Sequence, residues 1–307
     1  MHKISIVTVI FNAISNNNGK EYLEQMFKSI HNQDYENIEH LIIDGKSDDG
    51  TTEYINFLKN KYATKPVKIF SEKDSGIYNA MNKGILKSEG EFIAFMNADD
   101  YYLENNAITL LYDAIIKNQN IGFSCSDTLV ETDSQKKILF NANINSVMYR
   151  MPFCHQSMLC RKNLFYKYNF FDESLEIVAD YNFIIRLICN NERGVEVKKP
   201  LICFRWIGLS YKKNNEAIKE FSLVSSQFCN KKYSYDECLA IFSNKINIKL
   251  FLKLFFINFI KNSEISNINF INHVIVNYLI SLKYYVRFRF IFKPIEDLIK
   301  KRKITKV

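Results

Sequence analysis

An apolar run, Phe92 to Met96, ends abruptly on Asn97, Ala98 and two adjacent carboxylates, Asp99 and Asp100. Two carboxylates at the end of a buried strand repel each other and lose hydration, so the position is costly unless something positive binds there. A divalent cation meets that need. Mg²⁺ or Mn²⁺ takes oxygen ligands, uses one or two protein carboxylates and completes its shell with water and substrate phosphates. In isolation NADD is equally the start of a turn or a helix cap. It is not isolated. DGKSDDGT, residues 44–51, puts Asp44 at a second strand end, ahead of a Gly turn and a Ser/Asp cluster able to cap a helix. SEKDSGIYNAMNKG, residues 71–84, adds Asp74, and then a helix carrying Asn82 and Lys83.

The elements that must position these acids are visible as periodicities. KISIVTVIF, HLIID (40–44), VKIF (67–70), FIAFM (92–96) and IGFSCS (121–126) are continuous apolar runs of the kind expected in strands buried on both faces. Between them GKEYLEQMFKSIHNQ, TTEYINFLKNK, GIYNAMNKGILKSEG and NNAITLLYDAIIKN repeat apolar residues three and four apart. Alternating strands and helices predict an α/β fold with a mainly parallel sheet covered on both faces, and ligands then sit where the loops converge at the carboxyl ends of the strands. Asp44, Asp74, Asp99 and Asp100 all fall there. Residues 127–210 are less regular and hold a strand-like run from Leu201 to Trp206 and an amphipathic helix, ADYNFIIRLICNN, with Asp180 near its start.

The chain has 307 residues, 47% of them apolar, with only nine Gly and four Pro, which suits a globular protein without long linkers. Seven cysteines without a CxxC spacing argue against a disulfide framework or a thiolate zinc site and suit a reducing cytosol. The first residues read as a buried strand rather than a signal peptide. Charge is unevenly spread. Residues 245–307 hold 13 Lys and Arg against Glu264, Glu296 and Asp297, a net of +10, which leaves −2 for the rest of a chain whose total is +8. The segments 246–260 and 271–293 are rich in Ile, Phe and Tyr but broken by Lys and Arg, so neither is the charge-free run of a spanning helix. A basic amphipathic helix in a membrane interface fits them, as does an ordinary helical cap with snorkelling lysines.

The ordered set TVIFN, DGKSDDGT, SEKDSGIYNAMNKG, EGEFIAFMNADD, His155-Gln156 and ADYNFIIR resembles the family 2 glycosyltransferases, inverting nucleotide-sugar enzymes of the GT-A fold, and most of all their bacterial surface-polysaccharide branch. The resemblance covers residues 3 to about 210. It implies a catalytic domain over 1–215 and a helical, basic-aromatic region over 216–307. It places Thr8, Phe11 and Asn12 beside the nucleotide base and ribose, Asp44 on the base, and Asp74 on the uridine side, with Asn82 and Lys83 close to the donor. Asn97, Ala98 and Asp99 take the family's DxD position, Asp99 being the metal ligand, and Asn97 replaces the first acid but still offers a carbonyl oxygen. Asp180 matches the family's general base, with Asp100 a rival for that role or for the acceptor, and His155 and Gln156 match an acceptor-side element. Arg205 and Lys83 either face the diphosphate or pair with an acid.

The resemblance implies a metal-dependent hexosyltransferase using a UDP-sugar and Mn²⁺ or Mg²⁺, with a saccharide or lipid-linked acceptor in capsule, O-antigen or exopolysaccharide assembly. It would be cytoplasmic and peripheral on the inner membrane face through its basic tail, and would bind no nucleic acid. A sugar nucleotidyltransferase needs a Gly-rich, Arg-containing loop after the first strand, which FNAISNNNGK lacks. A non-catalytic nucleic-acid module is the other alternative, suggested by cations interleaved with aromatics in KYYVRFRFIFK.

Overall fold

The computed structural model describes residues 1–16, 18–132, 134–207, 213–228, 234–243 and 250. The expected helical appendage of segments 246–260 and 271–293 lies, except for Leu250, outside the described residues. Contacts divide the chain into two compact units, Met1–Ile144 with Phe153–Lys212, and Asn145–Pro152 with Lys213–Val307.

The first unit is a mixed α/β fold. It begins with β1 (Ile4–Ile10), α1 (Gly19–His31), β2 (Ile38–Asp44), α2 (Thr51–Tyr62), β3 (Val67–Ser71), α3 (Ile77–Lys87) and β4 (Phe92–Phe95). It continues through β5 (Tyr101–Tyr102), α4 (Ala107–Ile116), β6 (Ile121–Glu131), β7 (Lys137–Phe140), β8 (Met158–Arg161), α5 (Lys162–Lys167), α6 (Ala179–Cys189) and β9 (Arg193–Arg205). One nine-stranded sheet runs β3-β2-β1-β4-β8-β6-β9-β5, with β7 on β6. β1, β2, β3, β4, β6 and β9 run one way, and β5, β7 and β8 run the other.

β1 is the axis of the parallel part, paired with β2 in register Ile4↔Ile38 and with β4 in register Ile4↔Phe92. Each of its residues is buried because each face of the sheet is covered. On one face Ile4, Ile6 and Ile42 meet Leu23, Met26 and Phe27 of α1, Ile55 and Leu58 of α2, and Ile108 and Leu111 of α4. On the other, Gly84 of α3 lies so close to β1 that a Cβ there would stand 2.3 Å from Val7 Cγ1. That face is extended by Phe95, Phe165, Phe171 and Phe183, with the Phe165 and Phe183 rings stacked at 4.4 Å. Fully burying a side chain of this size is worth about 1.5–3 kcal/mol, so both helical layers are firmly held against the sheet.

The second unit contains α7 (Asn214–Phe228) and α8 (Tyr235–Phe242). Their Phe221 and Phe242 rings stack at 5.4 Å, and α8 opens with a Ser234/Glu237 capping box. No helix of the described residues is long and apolar enough to cross a membrane.

Candidate active site

β1 and β2 end side by side, and their following loops are laced together. Asn12, in a left-handed conformation at φ 45°, receives a hydrogen bond from Asp48 N at 3.0 Å and donates to Asp48 Oδ1 at 2.9 Å, while its own N–H reaches Ser47 Oγ at 2.8 Å. Phe11 is left 64% exposed beside them. Asp44 is fully buried and accepts from Ser47 N, Ser47 Oγ, Thr52 Oγ1 and Ser71 Oγ, the last three at 2.6–2.8 Å. The expected contact of Asp44 with a base therefore does not match its placement, since its lone pairs are taken up within the fold. Thr8 departs from expectation as well. It points under the sheet toward α1, with its hydroxyl 3.0 Å from His40 Nε2. What remains on this side of the cleft is Phe11 with Asp74. Gly45 separates them: a Cβ there would stand 2.6 Å from Asp74 Oδ2 and 3.2 Å from Phe11 Cδ2.

Two members of α3 expected near the donor hold the framework instead. Asn82 is buried, accepts from Phe171 N and donates to Phe171 O and Glu173 Oε1, pinning the 171–173 loop to the helix. Lys83 donates to Lys73 O at 2.8 Å and steadies the strand-to-helix loop next to Asp74.

On the other side of β1, residues 97–100 turn from β4 into β5, with Asp100 N donating to Asn97 O at 3.2 Å. Asp100 is fully buried. Its Oδ1 accepts from Arg205 N at 2.8 Å and its Oδ2 from Gln156 Nε2 at 2.7 Å. Burial first, and then the neighbouring Asp99 charge, push its carboxyl well above the ordinary range. Asp100, the expected rival of Asp180 for the base role or an acceptor contact, thus braces the acidic turn against β9 and the Gln156 segment. Arg205 is part of that brace. Its guanidinium donates to Asp99 O and Gln25 Oε1, lies 3.7 Å from Glu131 and stacks over Tyr22 and Tyr101, so it is not free to meet a diphosphate.

Asp99 differs from its neighbour. Apart from its own backbone N–H, its carboxylate has no hydrogen-bond or ion-pair partner among the described residues, and burial raises its pKa against the opposing pull of Arg205. Two residues back, Asn97 Oδ1 is buried without a partner. One anionic and one neutral oxygen left unmatched on one turn form a donor set that suits a hard cation shared with a diphosphate. No group of three or more His, Cys, Asp or Glu among the described residues could hold a metal by itself, so substrate oxygens and water would have to complete the shell.

The turn His155–Ser157 precedes β8 and sets His155 against α6. His155 Nδ1 is 2.9 Å from Asp180 Oδ2, and Asp180 Oδ1 accepts from Tyr181 N at 2.9 Å and lies 3.1 Å from the Tyr78 hydroxyl, whose one hydrogen meets Ile177 O at 2.5 Å. His155 Nε2 is buried without a partner. Because Gln156 grips Asp100, the acidic turn and the His155–Asp180 pair belong to one connected network. Tyr78 was not singled out in the sequence. Its only signal is its place in the GIYNAMNKG helix, facing the same loop as Asn82. A cleft of about 440 Å³ lined by Glu89, Arg161, Lys162 and Tyr166 lies at the opposite ends of β4 and β8, where Lys162 and Arg161 are already bound to backbone carbonyls.

Sheet, acidic turn and paired histidine define a GT-A type α/β protein. The model of Glycosyl transferase family 2 matches residues 5–193, more than half the chain, and the chain belongs to that family. It is 31% identical over 125 residues to a cholesterol galactosyltransferase of Borreliella burgdorferi, covering 41% of this chain and 32% of that protein. It is 28% identical over 208 residues to an uncharacterized glycosyltransferase of Haemophilus influenzae, covering 62% and 63%. The chain thus spans less than two thirds of the length of these curated relatives. In fold it resembles S. aureus TarS 1–349 in complex with UDP, with TM-score 0.56, 17% identity and coverage of 79% and 71%. It also resembles the mannosyltransferase PcManGT of Pyrobaculum calidifontis in complex with GDP-Man and Mn²⁺, with TM-score 0.59, 10% identity and coverage of 92% and 87%.

Proposed function

We propose that this protein is an inverting glycosyltransferase that moves a hexose from a nucleotide sugar, a UDP-sugar, to a saccharide or lipid-linked saccharide in capsule, O-antigen or exopolysaccharide synthesis. One observation carries the reading: the Asp99 carboxylate, bonded only to its own backbone N–H, and the unpartnered Asn97 carbonyl stand on a turn that Asp100 ties through Gln156 to the segment carrying a paired imidazole and carboxylate. Glycosyl transfer needs these two things, stabilisation of charge on a departing diphosphate and a group to take the acceptor's proton.

Asp99 and Asn97 would hold Mn²⁺ or Mg²⁺, which when bound neutralises charge growing on the leaving diphosphate. Phe11 offers a flat exposed face and Asp74 a carboxylate for the nucleoside, and the bonded loop of Asn12, Ser47 and Asp48 keeps that side of the cleft in place. His155 with Asp180 takes the proton of the attacking hydroxyl. The UDP complex of TarS supports the choice of nucleotide. The similarity to a cholesterol galactosyltransferase, and at 25% identity to a PGL/p-HBAD biosynthesis glycosyltransferase of Mycobacterium bovis, supports an acceptor with an apolar part. We place the enzyme on the inner membrane face through the basic segment 245–307.

Thermal unfolding of the wild type with UDP, GDP and dTDP, each with and without Mn²⁺, tests the reading. A ligand that binds only the folded state stabilises it by about 2.7 kcal/mol at 100 times its Kd. UDP should raise the melting temperature only with metal, and Asp99→Ala should lose that response. If no nucleotide shifts the wild type under any metal condition, the reading fails.

A further inference from the structure

We infer that Tyr78 is a positioning residue for glycosyl transfer: its hydroxyl ties α3 to the chain that enters α6, and so sets where the Asp180 carboxylate stands relative to the donor side of the cleft. The inference rests on the glycosyltransferase reading, with Asp180 at the acceptor's proton, and adds the side chain through which α3 governs its placement.

Tyr78 is the second residue of α3 and is only 6% exposed. A phenol has one hydrogen to give. It goes to Ile177 O at 2.5 Å, the shorter of two contacts, and the hydroxyl oxygen then stands 3.1 Å from Asp180 Oδ1. Ile177 lies immediately ahead of α6. Val178 O receives Asn182 N at 2.9 Å to open that helix, and Asp180 is the acid of its first turn. Holding Ile177 therefore holds the direction in which the Asp180 side chain leaves the helix. The other bonds to Asp180 do less. Tyr181 N, 2.9 Å from Oδ1, belongs to the next residue and moves with it, and His155 Nδ1 reaches Oδ2 at 2.9 Å from a separate turn. A carboxylate has about four acceptor sites, so these bonds leave room for an acceptor hydroxyl.

The clamp begins where the donor side ends. Asp74 Oδ1 accepts from Gly76 N at 3.0 Å, and Gly76 O accepts from Ala80 N at 3.1 Å to start α3. One short segment thus carries the nucleoside-side carboxylate and, a helical turn later, the hydroxyl that fixes the approach to Asp180. Further along α3, Asn82 bonds Phe171 through its N–H and its carbonyl, and the Tyr78 ring lies 5.7 Å from the Phe171 ring. The loop from Phe171 to Ile177 is held to α3 at both ends, and only the Ile177 end leads directly into the Asp180 turn. A displacement of about 1 Å between reacting groups can cost on the order of 10²-fold in rate, so a clamp at that point bears on turnover more than on binding.

Two measurements on the full chain test this. The first is UDP release from UDP-glucose, UDP-galactose and UDP-GlcNAc with Mn²⁺ and water as acceptor. Tyr78→Phe keeps the ring and removes the hydroxyl. It should lower kcat about tenfold or more while KM for the sugar nucleotide stays within about twofold, the pattern of a contact that matters in the transition state and not in binding. Its melting temperature should still rise with UDP and Mn²⁺. Made in an Asp180→Asn background, the same substitution should change the residual rate by less than about twofold, because a residue that acts through a carboxylate has nothing to act through once it is gone. A side chain that only supports the fold would lower both backgrounds alike. The second is ¹⁵N–¹H correlation of the His155 ring, its signals identified by their loss in His155→Asn. Tyr78→Phe should move the Nδ1 resonance toward its position in Asp180→Asn, since the carboxylate facing that nitrogen has shifted. Wild-type kcat in Tyr78→Phe overturns the inference, and so does an equal loss in the two backgrounds, a loss of the response to UDP, or an unmoved Nδ1 resonance. If the wild type binds UDP but releases none from the three sugars, the ring resonance decides. Failure of UDP to bind the wild type at all is a different result: it removes the glycosyltransferase reading, whatever the ring resonance shows.

Discussion

The two loops that flank the end of β1 are both acidic, and they use their acids in opposite ways. After β2, Asp44 is closed in by Ser47, Thr52 and Ser71, and Asn12 and Asp48 bond each other in both directions. After β4, Asp99 has no partner but its own backbone, and Asn97 Oδ1 has none. A folding chain gains from the first arrangement and loses from the second, since an unmatched buried polar group costs about 1–3 kcal/mol. The difference teaches that an acid at a strand end is not in itself a ligand site. The loop whose polar atoms stay unmatched is the one that calls for something from outside.

Substitutions should separate the loops cleanly. Asp99→Ala should lower turnover by about 10²- to 10³-fold, the scale set by loss of one group that stabilises transition-state charge. Its melting temperature should hold or rise, because a half-buried unpaired charge has gone. Asp44→Ala should do the reverse. It strands three hydroxyls and a backbone N–H and should cost about 3 kcal/mol, read as a fall in melting midpoint. If Asp99→Ala unfolds the protein and Asp44→Ala leaves it stable but inactive, the assignment of the two loops is inverted.

The parallel half of the fold was legible because strands buried on both faces are written as unbroken apolar runs. That same property hid the direction of Thr8. Without alternation along KISIVTVIF, nothing in the sequence says that the even positions face α1. Asp99 was legible as an acid at a strand end, but Asp44 and Asn82 were not legible as framework. Their partners Ser71, Phe171 and Glu173 come from other segments, and only the fold counts the donors around a carboxylate or an amide. The same holds for Arg205, which reaches back to the Asp99 carbonyl from the end of β9, and for the pairing of His155 with Asp180.

A smaller effect separates the framework side further. Under the first half of β2, His40 and His31 are buried in contact at 3.3 Å. Burial holds His31 down at about 4 from an ordinary 6.5, with Lys65 adding to it, and burial with the neighbouring His31 holds His40 well below its usual value. The unfolded chain therefore binds more protons than the folded one below pH 6.5. Stability is fully present above that pH and is lost as pH falls toward 4, by up to about 1.4 kcal/mol per pH unit for each ring. Melting temperatures between pH 7.5 and 5 should show this decline, and a flat profile would mean that the pair is not held neutral.

The smallest effect expected is at Gly45, where the framework loop meets the open part of the cleft. An added Cβ would crowd Asp74 Oδ2 at 2.6 Å and Phe11 Cδ2 at 3.2 Å, and both are outer atoms of side chains that can swing away. The clash should therefore be relieved by movement rather than by unfolding. Alanine also stiffens the unfolded chain relative to glycine, a gain of about 0.4–1 kcal/mol that offsets residual crowding. Gly45→Ala should thus melt close to wild type. If Phe11 and Asp74 hold the nucleoside, their displacement should weaken UDP binding by about tenfold, near 1.4 kcal/mol, in a calorimetric titration with Mn²⁺. Unchanged affinity would take both residues out of the nucleoside site. A drop in melting temperature like that of Asp44→Ala would instead make Gly45 part of the closed network, and move the boundary between the two kinds of loop one residue further toward the cleft.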